Sequence, residues 1–228
     1  MPADQAAGLR RRSAQLPVRS LHCFFDAAGS STQLAQALHQ LEQVSLLVDM
    51  RGRLFADSPT RSLFDCKQQL ERGVLYTLPQ VYGDGWYAPG VRADEPNLRG
   101  TAQGYDWVVF DAGPIRTSLA LMPGACQTVV IEVQPSHESM LRAYTLLKTL
   151  SDVDDKPDIA LLGDPASCDH VRAACSHFLD PCFAQAIYSV VHEEDAIAAL
   201  AIRIVGEVGD EKNLTAQTIM GMNLNHGR

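Results

Sequence analysis

Short unbroken runs of apolar residues alternate along this chain with longer stretches in which apolar positions recur every three or four residues. Leu21-His22-Cys23-Phe24-Phe25 is the first such run, followed by a small polar loop, Asp26 to Thr32, and then by Leu34, Ala37, Leu38 and Leu41. Strands covered on both faces read as continuous apolar runs, whereas a helix shows its buried face at i, i+3, i+4 and i+7. The pattern therefore predicts a strand, a tight loop and a helix. A second strand is expected over Val44 to Asp49, and a helix from near Ser58-Pro59, carrying Leu63, Phe64 and Leu70 until Gly73 stops it. Residues 74–104 are rich in Gly, Pro, Tyr and Asp, and only Val74 to Leu78 has a strand pattern there. Further strands are expected over Tyr105 to Asp111, Thr128 to Val133, Asp158 to Leu162 and 183–190. Helices are expected over Ser136 to Leu150, 166–179 and Glu193 to about Ile204. Such alternation predicts an α/β fold with a mostly parallel central sheet and helices on both faces.

Composition narrows the classes. With 228 residues, 46% of them apolar, the chain can bury one sizeable core without disulfides. One domain over 20–207 is expected, between an N-terminal arm (1–19) and a C-terminal tail (208–228). The arm is small, polar and basic, with Arg10, Arg11, Arg12 and Arg19 against Asp4, and is expected to be flexible. A net charge of −8 argues against nucleic acid as a partner. No apolar stretch suits a secretion signal or a membrane span, so a cytoplasmic location is expected. The six cysteines are scattered and read as reduced. Cys168, His170, Cys175, His177 and Cys182 do not reproduce zinc-site spacing, so no metal is expected there. A thiol hydrolase pairing one of these cysteines with His192 would need a spatial convergence that spacing does not supply.

Three strand ends deliver polar residues: the 26–32 loop, Asp49 and Asp111. In open α/β sheets ligands bind beyond such ends. The loop can also be a plain βα turn with Gly29 present for its geometry, and both readings stand on the residues alone. The layout over roughly 20–205 resembles the MinD/ParA family of P-loop ATPases, whose first loop reads K-G-G-x-G-K-[ST]-T, whose second strand ends D-x-D and whose central strand ends in a D-T-x-x-G type turn. The resemblance makes Gly29, Ser31 and Thr32 the counterparts of the loop glycine, the magnesium-binding hydroxyl and the residue after it. It makes Asp49 and Asp111 the carboxylates of the second and central strands. Against that pattern Phe25 stands at the signature lysine, Asp26 and Ala27 at two glycines, and Ser30 at the Walker lysine. Arg51 stands at the catalytic aspartate and Ile115 at the final glycine of the turn. Hydrogen bonds to charged groups are worth roughly 1.5–3 kcal/mol each, so losing two phosphate-binding lysines costs about 3–6 kcal/mol. That weakens binding on the order of a hundred- to ten-thousand-fold. The resemblance thus implies a degenerate nucleotide site at Gly29, Ser30, Ser31, Thr32, Asp49 and Asp111, a pseudo-ATPase with no required ATP or magnesium.

Two further segments are similar to the FlhG branch of that family, the regulators of flagellar number. Gln134-Pro135 before a helix with Ala143-Tyr144 and Leu146-Leu147-Lys148 follows the branch pattern E-P-x-x-x-x-x-A-Y-x-L-[IL]-K. Leu162-Gly163-Asp164 stands where relatives carry a V-N dipeptide, which speaks against adenine recognition. In the arm, Asp4-Gln5-Ala6-Ala7-Gly8-Leu9-Arg10 matches D-Q-A-x-x-L-R at every fixed position. In a helix Ala6, Leu9 and Arg10 share one face. The resemblance implies that Asp4, Gln5, Ala6, Leu9 and Arg10 bind an FlhF-like signal-recognition-type GTPase and that Gln5 acts in trans by orienting water for its hydrolysis. Recruitment to the cell pole by that partner would follow. The plain reading of the arm is a solubilising tail. The C-terminal tail carries Leu214, Ile219, Met220, Met222 and Leu224 with only Lys212 and Arg228 as cations, so any membrane contact is expected to be weak or indirect. Two alternatives remain: a weakly ATP-binding switch that homodimerises, and a scaffold of a pilus, cellulose or secretion machine.

Overall fold

The computed structural model describes residues 18–27, 29–54, 84–87, 93–94, 98, 102, 104–113, 121–190 and 195–206. Residues 1–17 with the partner motif, the helix and strand expected between 58 and 78, Ile115, His192 and the C-terminal tail lie outside them, while Arg19, expected at the end of the arm, opens the first strand.

Within the described residues the apolar runs become strands β1 (Arg19–Phe24), β2 (Ser45–Asp49), β3 (Asp84–Tyr87), β4 (Trp107–Asp111), β5 (Cys126–Val133), β6 (Asp158–Gly163) and β7 (Ile187–Val190). The periodic stretches become helices α1 (Gly29–Gln40), α2 (His137–Ser151), α3 (Pro165–Phe178), α4 (Pro181–Gln185) and α5 (residues 196–206). The strands form one sheet in the order β3-β2-β4-β1-β5-β6-β7, and every pairing is parallel.

Alternation along each strand sorts the core into two sides. Leu21, Cys23, Leu47, Val109, Val130 and Ala160 meet α1 and α5 through Leu34, Leu38, Leu200 and Ala201. On the opposite face Val129, Ile131, Val133, Ile159 and Leu161 meet α2, α3 and α4, and Leu46, Val48, Val108 and Phe110 pack with Ala93, Leu98, Ala102 and Met122. Every residue of β2 and β4 is buried, as the unbroken apolar runs require. The expected parallel sheet with helices on both faces is thus the observed one.

Two local expectations differ. The stretch 183–190 is not one strand: Asp180 caps a helical turn by accepting from Phe183 N–H, Pro181 opens it, and β7 starts only at Ile187. Asp-Pro is a helix start, and it outweighs the apolar content of the segment. A strand at Asp84–Tyr87 pairs with β2, whereas only Val74 to Leu78 carried a strand pattern in that region. Four residues with Gly85 in their midst give too short a period for the pattern to register.

Candidate functional site at the strand ends

The strand order reverses at β1. The chain leaves β1 through α1 to reach β2 on one side, while β5 lies on the other and β4 sits between β1 and β2. Such a reversal opens a crevice at the carboxyl ends of the central strands. The register brings the expected residues together there: Asp111 lies level with Cys23 on one side and with Asp49 on the other.

Asp111 is fully buried. Its Oδ1 accepts from Ser31 Oγ at 2.6 Å and from Arg53 Nη2 at 2.6 Å, and its Oδ2 accepts from Arg53 Nε at 2.6 Å. A guanidinium fork facing a carboxylate in this two-point manner is the strongest common form of ion pair. The Asp111 hydrogen bond raises the Arg53 pKa above its ordinary value, with burial opposing it and the Asp111, Asp49 and Asp26 charges adding to it. Burial pushes the neighbouring Cys23 thiol well above its usual range, and the Asp111 charge adds to that shift. Cys23 is therefore an inert core group.

Asp49 is also buried, and its oxygens serve the backbone. Oδ1 accepts from the N–H groups of Arg51 (3.2 Å), Gly52 (2.7 Å) and Arg53 (3.2 Å), and Oδ2 accepts from Leu54 N–H (2.9 Å). Asp49 thereby shapes the turn that aims Arg53 at Asp111. Gly52 permits this turn, with φ of 70°. Arg51 donates from Nε to Ala112 O at 2.9 Å and ties the turn after β2 to the exit of β4.

The 26–32 loop is held from two directions. Asp26 N–H donates to Glu132 Oε2 at 2.7 Å, and Asp26 C=O accepts from Arg53 Nη1 at 3.0 Å. Phe25 is wholly buried in the α1 side of the core. Ser30 and Thr32 lie on the first turn of α1, half-exposed, while Ser31 between them turns inward to Asp111. Gly29 is exposed, lies outside the positive-φ set, and a Cβ there would meet nothing within 4 Å. The turn itself does not call for glycine at 29, contrary to the plain reading of the loop.

Of the site residues anticipated from sequence, Ser31, Asp49 and Asp111 lie together at the strand ends, whereas Gly29 is exposed and Ser30 and Thr32 are half-exposed on α1. Two that matter were missed, Arg53 and Glu132. Each is a charged residue at or just beyond a strand end, Glu132 interrupting an apolar run and Arg53 following Asp49 by four positions. That is the signal that could have found them. Both Asp111 oxygens accept from Arg53, those of Asp49 accept from backbone N–H groups, and no lysine stands in the 26–32 loop.

The other anticipated features have structural roles. Ala143 is fully buried and Tyr144 packs beside it on the α2 side of the core, so the Ala-Tyr pair is accounted for by packing. Gly163 has φ of 125°, and a Cβ there would lie 2.4 Å from Val133 O. Asp164 caps α3, accepting from Ser167 N–H at 2.8 Å and Oγ at 2.6 Å, and the Ser167 hydrogen bonds hold its carboxyl below the usual range. Cys168 and Cys175 are buried on the inner face of α3, whereas His170 and His177 are exposed. Burial raises both thiols to about 11. Among the described residues no helix is long and apolar enough to cross a membrane.

No protein-family model and no curated protein sequence matches the chain. Solved structures do. A ParA family ATPase from Chlorobium tepidum TLS aligns at a TM-score of 0.52 and 17% identity, over 82% of this chain and 91% of that one. The MinD cell division protein of Aquifex aeolicus aligns at 0.49 and 16%, over 82% of this chain and 97% of that one. The likeness is one of fold: this chain has the α/β architecture of the ParA family ATPase.

Proposed function

We propose that this chain is a MinD/ParA-like regulator whose nucleotide site no longer hydrolyses ATP and which acts on a partner, an FlhF-like GTPase, through residues 4–12. One solved neighbour is a ParA family ATPase, so the departure needs a physical ground. The observation that carries it is the two-point ion pair of Arg53 with Asp111. It neutralises the buried carboxylate with a group of the chain itself, where an ATPase of this architecture would need a metal. Asp26 adds negative charge to a loop that offers no lysine to phosphates.

A domain that cannot turn over its own nucleotide retains a rigid body from which to present another element. The Asp4-Gln5-Ala6-Ala7-Gly8-Leu9-Arg10 segment supplies that element. Gln5 would orient water in the partner's site, and Arg10 to Arg12 would meet acidic or phosphate groups there. Control of flagellar number or placement is the process this activity serves.

The deciding assay is GTP turnover by the cognate FlhF-like GTPase with the full-length chain added. Stimulation is expected with wild type, is expected to vanish with Gln5→Ala, and is expected to persist with Ser31→Ala. Absence of stimulation by wild type overturns the activator reading. One observation favours a second reading: the Ser31–Asp111 hydrogen bond is intact and Gly29 leaves the loop backbone open to approach. A weak ATP-dependent homodimerisation switch would use both, and light scattering with and without ATP separates the two.

A further inference from the structure

The backbone N–H and C=O of Asp26 are each held by a charged group from a distant part of the chain. The N–H is taken by the carboxylate of Glu132 at the end of β5, and the C=O by the guanidinium of Arg53 from the turn after β2. The same guanidinium covers both oxygens of Asp111, to which Ser31 at the start of α1 also donates. We propose that Arg53 is an internal cation standing in for a divalent metal at Asp111 and that, with Glu132, it locks the 26–32 loop to the ends of β2, β4 and β5 in one arrangement. The regulator's shape is then set by its own side chains and does not follow nucleotide. This rests on the reading of the site as one that does not turn over ATP, and goes beyond it by tying the position of the 26–32 loop to the same side chain.

Three points support it. A carboxylate as deeply buried as Asp111 requires a counter-charge, because an unpaired buried charge is strongly destabilising. Arg53 supplies it with the planar fork that suits a carboxylate, and the pair is shielded, with the arginine side chain only 18% exposed. Second, the turn that delivers Arg53 is built on the Asp49 carboxylate. One structural device therefore consumes a second carboxylate of the site and installs the cation. Third, Arg53 reaches the loop as well as the carboxylate, so charge compensation and loop position are coupled through a single side chain.

The test is thermal melting of the full-length protein, with magnesium chloride alone and with magnesium chloride plus ATP as probes. Wild type is expected to melt at the same temperature under all conditions. Arg53→Ala is expected to melt lower by roughly 6–15 °C and to regain part of that loss with magnesium chloride alone. The double variant Arg53→Ala/Asp111→Asn leaves no unpaired charge and is expected to melt close to wild type without responding to the metal. It keeps the proposal testable should the single variant fail to fold. Stabilisation of wild type by ATP with magnesium overturns the proposal. So does an Arg53→Ala protein that melts with wild type or ignores magnesium, or a double variant no more stable than the single one. GTP turnover by the partner reports separately on the arm: absent stimulation alongside these melting results overturns the activator reading and leaves the Arg53 inference standing.

Discussion

His22 sits in β1, fully buried, with its ring stacked on Phe110 at 4.7 Å between centroids and Ser20 Oγ 3.5 Å from Nε2. Burial lowers its pKa to about 4, Gln127 offsetting part of the effect. Because the folded value lies below the unfolded 6.5, the unfolded chain binds more protons between the two. Stability is then fully present above pH 6.5 and is lost as pH falls toward 4, by about 1.4 kcal/mol per pH unit and roughly 3 kcal/mol in all. Urea midpoints measured from pH 7 to pH 5 should fall accordingly, and His22→Gln should flatten that slope whatever it does to stability at pH 7. Gly29 is the converse case, a residue the fold does not need. With open space for a Cβ and an ordinary φ, Gly29→Ala should stabilise the protein by about 0.4–1 kcal/mol in urea unfolding. If the loop still admits phosphate by close backbone approach, the same variant should weaken any response to ATP.

At the scale of elements, the passage from β6 to α3 concentrates the constraints. Gly163 passes so close to Val133 of β5 that a methyl group has no room, and Asp164 caps the helix immediately afterwards. Gly163→Ala should cost at least about 2 kcal/mol in urea unfolding, because both the positive φ and the contact with Val133 O oppose it. Leu162-Gly163-Asp164 departs from the family pattern, and the fold has local reasons for two of these residues, the close approach at Gly163 and the helix cap at Asp164. Long strands and helices were legible because their periods repeat several times. Asp84–Tyr87 and Pro181–Gln185 were not, since four or five residues carry no period and are fixed by a neighbour strand or a cap. In the candidate site, Ser31, Asp49 and Asp111 were legible because each ends or begins an element. Arg53 was not: only the Asp49-capped turn directs it back over the sheet, and that turn is a three-dimensional fact.

The whole molecule is organised by β1, which has β4 on one side and β5 on the other, while its neighbour in sequence, β2, lies beyond β4. The Arg53–Asp111 pair follows the same logic, joining the turn after β2 to the tip of the strand inserted beside it. This order has a consequence for how the chain comes off the ribosome. When β1, α1 and β2 have been synthesised, the two strands cannot pair with each other without excluding β4 from its place. Ser20 meets Val108 only after the whole intervening stretch has been made, and Arg19 to Phe24 gain their second partner only once Cys126 to Ile131 have emerged. Domains generally fold as units during synthesis, and non-local pairings form late. β1 and β2 therefore stay without the strand that joins them, their backbone N–H and C=O groups unpaired on that side, until the middle of the chain has emerged.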